Sequence, residues 1–82
     1  MTKANGYRMH IQRAGKPDVL TTATFTYYAD ADRWATAYAK SLEVPCKVKI
    51  INGRDLVSAC YLGDGSGHVR SASDEIGERL PA

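Results

Sequence analysis

Residues 25–42 read FTYYADADRWATAYAKSL, a stretch that begins with the pattern of a strand and ends with that of a helix. On the strand side, within VLTTATFTYY, Val19, Ala23, Phe25 and Tyr27 fall on one face and Thr22, Thr24 and Thr26 on the other. Threonine favours extended backbone through its β-branch. On the helix side, Ala31, Trp34, Ala35, Tyr38 and Leu42 recur at spacings of three and four, with Arg33, Thr36, Lys40 and Glu43 opposite. Asp30 is placed to accept the free N–H groups at the helix start, and Asp32 adds favourable charge to the same turn. Pro45 disfavours helical geometry at Val44 and stops the helix. The apolar stripe needs a sheet to cover it, with Trp34 as the expected anchor.

The flanking segments supply that sheet. Upstream, YRMHIQR alternates Tyr7, Met9 and Ile11 with Arg8, His10 and Gln12, and AGKPD provides a turn into the second strand. Downstream, Cys46, Val48 and Ile50 alternate with Lys47 and Lys49 before Asn52-Gly53, a strong signal for a two-residue hairpin turn. That turn pairs Ile51 with Arg54, Val48 with Val57 and Cys46 with Ala59; it puts Val57, Ala59 and Tyr61 inward and Cys60 outward. GDGSG reads as a flexible turn and HVR as a short fifth strand. Ser71 or Ser73 caps a short C-terminal helix holding Ile76 and Leu80 and weakened by Gly77. The expected fold is α+β: a ββαββ two-layer arrangement in which an antiparallel sheet of four to five strands packs on one amphipathic helix.

The 82 residues make one domain with a single small core, residues 1–82. Hydrophobic residues at 44% and charged residues at 24% are ordinary globular values and argue against disorder. The sequence contains no apolar run of membrane-spanning length and no apolar signal core near MTKANGYRMH, so a cytoplasmic protein without a membrane partner is expected, as a monomer or weak homodimer. Its two cysteines, Cys46 and Cys60, form no CxxC and are expected as free thiols. The net charge of +2 is unevenly spread: Lys3, Arg8, Arg13 and Lys16 lie near the start, and Asp74, Glu75 and Glu78 near the end.

A sheet covered by one helix leaves its other face open. Alternation collects Arg8, His10, Gln12, Thr22, Thr24, Thr26, Lys47 and Lys49 there, a basic, hydroxyl-rich face expected to be free of acids, with Arg54 at the neighbouring turn. Aligned cations of this kind can neutralise phosphates, which makes duplex DNA one expected partner. Tyr28, at the strand-to-helix joint, is a candidate interface anchor. His10, His68, Cys46 and Cys60 lack zinc-site spacing, GDGSG lacks the lysine and hydroxyl of a phosphate-binding loop, and there is no Gly-x-Ser-x-Gly elbow. No metal, cofactor or catalytic residue is therefore assigned, and a binding protein is expected rather than an enzyme.

A strand hairpin followed by ADADRWATAYAKS is similar to the amino-terminal modules of phage integrases, which lay a small sheet in a DNA groove. Across residues 7–70, the joint DADRWATAYAKS followed by VPCKVKIINGRDLVSACYL resembles the helix-then-meander half of small phage-encoded inhibitors of bacterial CRISPR systems. The second resemblance implies a curled antiparallel sheet around one helix and a stoichiometric blocker of a type I CRISPR surveillance complex, a bacterial ribonucleoprotein. It implies no role for any individual residue.

Overall fold

The computed structural model describes residues 6–22 and 24–79. Lys3, Ala23 and Leu80, on which readings above fall, lie outside the described residues. Along the chain come β1 (Arg8–Arg13), β2 (Val19–Leu20), α1 (Tyr28–Ser41), β3 (Pro45–Ile51), β4 (Val57–Asp64) and β5 (Val69–Ser71). The strands form one antiparallel sheet in the order β2-β1-β3-β4-β5, and α1 packs on one of its faces, the expected α+β arrangement. The helix carries the chain from the β2 edge back to the centre, where β3 pairs with β1. Among the described residues no helix is long and apolar enough to cross a membrane.

The handover from strand to helix comes earlier than the sequence suggested. Thr21 donates its N–H to Met9 O at 3.0 Å, while its hydroxyl, at 3.0 Å, takes the Met9 N–H that the next strand carbonyl would have accepted. The ladder thus peels away after Leu20, and among the described residues a bridge between Tyr7 and Phe25 continues it. Tyr27, with φ −112° and ψ 138°, precedes the helix without a side-chain cap bond. Asp30 therefore sits inside the first turn, where its charge still suits the helix dipole, and pairs with Arg33 at 3.6 Å.

The helix meets the sheet through Ala31, Ala35 and Ala39, all buried against Met9, Ile11, Cys46, Val48, Ile50 and Ala59. Trp34 is not the core anchor expected from its spacing. It stays 36% exposed on the helix flank, stacked on Tyr38 at 4.8 Å and 7°, with Phe25 tilted at 6.0 Å. The reason is the close approach of helix and sheet: a Cβ at Gly63 would lie 2.9 Å from both Ala39 O and Cys46 Sγ. A ring cannot enter so narrow a gap, and the aromatic residues seal its side instead.

The β3–β4 hairpin also departs from the two-residue turn. Asn52 N–H donates to Leu56 O at 2.9 Å, and Asn52 Oδ1 accepts from Arg54 N at 2.8 Å and Leu56 N at 3.1 Å. Asp55 takes the left-handed conformation, φ 62°, so the loop is Gly53, Arg54 and Asp55. Ile51 then pairs with Val57, Val48 with Tyr61 and Cys46 with Gly63, and an irregularity at Ile50/Ile51 leaves Ser58 as the extra residue. Val57 consequently joins Cys60 on the outer face, not the inner one. Cys46 and Cys60 remain free and buried, in separate clusters on the two faces.

The C-terminal segment is a turn rather than a helix. Ile76 N–H donates to Ser73 O at 3.2 Å, and Gly77, at φ 90°, redirects the chain into bonds with Val57: Gly77 N to Val57 O and Val57 N to Glu78 O, both 2.8 Å. The loop between these points folds over the outer face, where Ala72 closes a small cluster of Ile51, Val57 and Cys60. Burial pushes the Cys60 thiol up.

The narrow gap can be tested by substitution. Ala35→Leu overfills it and should cost about 1 to 3 kcal/mol in urea unfolding. Trp34→Ala removes mainly flank stacking and should cost about 2 kcal/mol, less than the roughly 3 to 5 kcal/mol of a buried ring.

Candidate binding face of the sheet

Pairing across the strands builds the outer face in rows. Arg8 stands opposite Ile51, which stands opposite Val57; His10 opposite Lys49 and then Cys60; Gln12 opposite Lys47, Leu62 and Arg70 in turn. A fourth row runs through Ala14, Pro45, Asp64 and His68, linked by Ala14 N to Pro45 O at 2.9 Å and Asp64 N to His68 O at 3.1 Å. Alternation within each strand turns these side chains away from α1.

The face is basic as expected, but it is not free of acids. Glu75, from the C-terminal loop, reaches Lys47 at 2.5 Å and Lys49 at 2.6 Å. Arg8 pairs with Asp55 at 2.5 Å. Asp18 lies 3.5 Å from His10 Nε2 and accepts from Gln12 Nε2 at 3.3 Å. Two loops thus each bring a carboxylate onto cations and a third brings Asp18 onto His10 and Gln12, an arrangement hidden from strand alternation because the acids come from turns. The paired lysines hold the Glu75 carboxyl well down, to about 2, and the carboxylate in turn raises Lys47. Thr22, Thr24 and Thr26 do not extend the face, since β2 ends at Leu20.

The remaining sequence-chosen residues lie elsewhere. Arg54 is exposed in the β3–β4 loop and its carbonyl accepts from Arg79 at 3.2 Å. Tyr28 opens the helix, away from the outer sheet face, and is edge-on to Tyr7 at 5.6 Å. Tyr61 donates to the Asp32 carboxylate beside it, and burial together with that bond raises the Tyr61 phenol; burial also raises Tyr28. Tyr27 is the more exposed tyrosine at the joint, at 69% against 39% for Tyr28.

What sequence reading missed is the far half of the outer face. There a groove of about 730 Å³ opens, lined by residues that include Gln12, Arg13, Lys47, Leu62, His68 and Arg70. Leu62, Pro45 and Ala14 supply apolar surface, and the side chain of Arg70 has no hydrogen bond or ion pair among the described residues. Arg70 could have been found by extending alternation through HVR, whose pairing with β4 places it beside Leu62.

Among the described residues the groove contains no assembled nucleophile. Ser66 donates its hydroxyl directly to Asp64 at 2.8 Å, so the nearby His68 Nδ1, at 3.2 Å, is not positioned as its base. Asp64 also accepts from the Ser66 and His68 amides, at 2.8 and 3.3 Å, which organises the GDGSG turn and lowers its pKa. Among the described residues no group of three or more His, Cys, Asp or Glu could hold a metal ion.

The Glu75 clamp has a pH signature. Its carboxyl is depressed in the folded state, so the bridge contributes stability above the ordinary value of 4.5 and loses it as pH falls through about 2. Glu75→Gln should lower stability at neutral pH by about 1 kcal/mol and flatten the fall over that window, as read by denaturant unfolding at stepped pH. Superimposable curves for the two proteins would mean that the clamp contributes nothing.

Neither a protein-family model, a curated protein nor a solved structure matches this chain.

Proposed function

We propose that this is a non-enzymatic binding protein and, in its most specific form, a stoichiometric cytoplasmic inhibitor that docks on a bacterial type I CRISPR surveillance complex and blocks target DNA. The observation that carries the binding role is the groove on the outer sheet face, an apolar floor beside Arg70 and Lys47 on a four-strand platform. A rigid sheet presents such side chains at fixed spacing, as a docking surface requires. The identity of the target rests on the likeness of the helix-then-meander plan to small phage inhibitors.

A free-standing DNA-binding module is less well supported. The cations that such a module would use, Arg8, Lys47 and Lys49, are each held by a carboxylate. Phosphates would have to displace Asp55 and Glu75 before any counterion release could favour binding.

The test is phage plaque formation on hosts carrying different type I systems, paired with target-DNA binding by the purified complex. Expression should restore plaques on at least one host, and the protein should bind that complex and prevent DNA loading. The protein alone should not retard duplex DNA at low salt. Absence of plaque restoration and of complex binding across the type I systems would overturn the inhibitor reading, and salt-sensitive retardation of duplex DNA would put the module in its place.

A further inference from the structure

The two edges of the sheet are finished differently. At one edge β2 is two residues long, follows Pro17 and Asp18, and is ended by the Thr21 hydroxyl. At the other edge the register of β5 leaves backbone groups open. Asp64 N donates to His68 O at 3.1 Å and Ala72 N to Cys60 O at 2.9 Å, so Leu62 and Arg70, midway between them, form a hydrogen-bonded pair. The alternate residues of an antiparallel strand turn their N–H and C=O groups the other way, which directs those of Val69 and Ser71 out of the sheet. Neither of these backbones has a hydrogen-bond partner among the described residues.

A cleft of about 590 Å³ lies beside that edge, between β5 and the helix. Arg33, Thr36, Ala37 and Lys40, one stripe of α1 at spacings of three and four, form one wall, and Val69 and Ser71 form the other. The helix thus presents a second stripe where the sheet has no further strand. Ala37 and Val69 make the centre of the cleft apolar, with Arg33 and Lys40 about two helical turns apart at its ends. Arg70 stands on the opposite face of β5, in the row of Leu62. A strand laid against β5 would bond to Val69 and Ser71, send alternate side chains between Ala37 and Val69, and send the others past Arg70.

We propose that β5 accepts a sixth strand from a partner protein, an extended peptide segment that bonds to the Val69 and Ser71 backbone and seats an aliphatic side chain between Ala37 and Val69. The open edge selects the class of occupant, because its N–H and C=O groups are matched in spacing by another polypeptide backbone and not by a nucleic-acid strand. Charge argues against a second copy of this chain. Two-fold pairing of Val69 with Ser71 of the copy puts Arg70 directly opposite Arg70 of the copy, at the closely spaced non-bonded position where like charges destabilise a sheet. The proposal needs the edge and the cleft alone, and depends neither on the outer groove nor on the partner being a CRISPR complex.

The experiment uses the intact protein and a short fluorescein-labelled peptide that alternates Val with Glu. Fluorescence anisotropy should show saturable binding. Hydrogen exchange read by NMR should find the Val69 and Ser71 amides unprotected in the free protein and protected in the complex. N-methylation of the peptide's Val amides, which face β5 when the Val side chains enter the cleft, should weaken binding at least about tenfold, whereas N-methylation of its Glu amides should not. Ser71→Pro removes an outward N–H without touching the bonds to β4 and should weaken binding by a similar factor, as should Ala37→Phe, which fills the cleft from an exposed helix position. Lack of saturable binding, equal loss from the two methylation patterns, or amide shifts centred on Gln12 and Lys47 would overturn the proposal. So would concentration-dependent dimerisation that protects Val69 and Ser71, which would give the edge to a second copy. Failure of the plaque assay with strand binding intact would reject the CRISPR target and leave the β5 site standing.

Discussion

The structure depends on how closely α1 lies on the sheet. Ala31, Ala35 and Ala39 put nothing larger than a methyl group between the helix and the strands, and Gly63 puts nothing at all beneath Ala39. Close packing of this kind lets a short helix cover Met9, Ile11, Val48 and Ile50 with little aromatic volume inside. The rings that the chain does carry then become walls: Phe25, Trp34 and Tyr38 seal one flank, while Tyr61 and Asp32 join helix to sheet on β4.

With the inner face filled in this way, the outer face is where a surface can be offered to another molecule. A small domain cannot leave a whole sheet face bare without exposing apolar residues, and Ile51, Val57 and Cys60 are such residues. The C-terminal loop covers them and brings Glu75 to the lysines that stand beside them. Covering part of the face and neutralising part of its charge are thus one structural event. The groove is what that loop leaves uncovered, which explains why it lies toward Leu62 and Arg70 at the end of the sheet rather than over its centre.

The two-layer plan was legible because it rests on periodicity: alternation in residues 7–13 and 46–51, and helical spacing from Ala31 to Leu42 in the sequence. The errors arose where a single side chain competes with the backbone. The Thr21 hydroxyl takes the Met9 amide and shortens β2, and the Asn52 carboxamide gathers two loop amides and lengthens the hairpin turn, shifting every later pair. Trp34 was misplaced for another reason, since spacing identifies a stripe but not the width of the gap beneath it. On the site, alternation correctly put Arg8, His10, Gln12, Lys47 and Lys49 on one face. It could not show that Asp18, Asp55 and Glu75 would arrive there from loops.

Unfolding of Gly63→Ala tests the close approach most directly, because two physical effects predict opposite signs. Where a strand glycine has room, alanine stabilises by about 0.4 to 1 kcal/mol through the entropy of the unfolded chain. Here the new methyl would lie 2.9 Å from the Ala39 carbonyl oxygen, a backbone atom of the helix. A loss of more than about 1 kcal/mol in urea unfolding is expected, as for other overpacked cores. An unchanged or increased stability would show that the helix does not rest on Gly63 and would remove the constraint on which the rest of the fold depends.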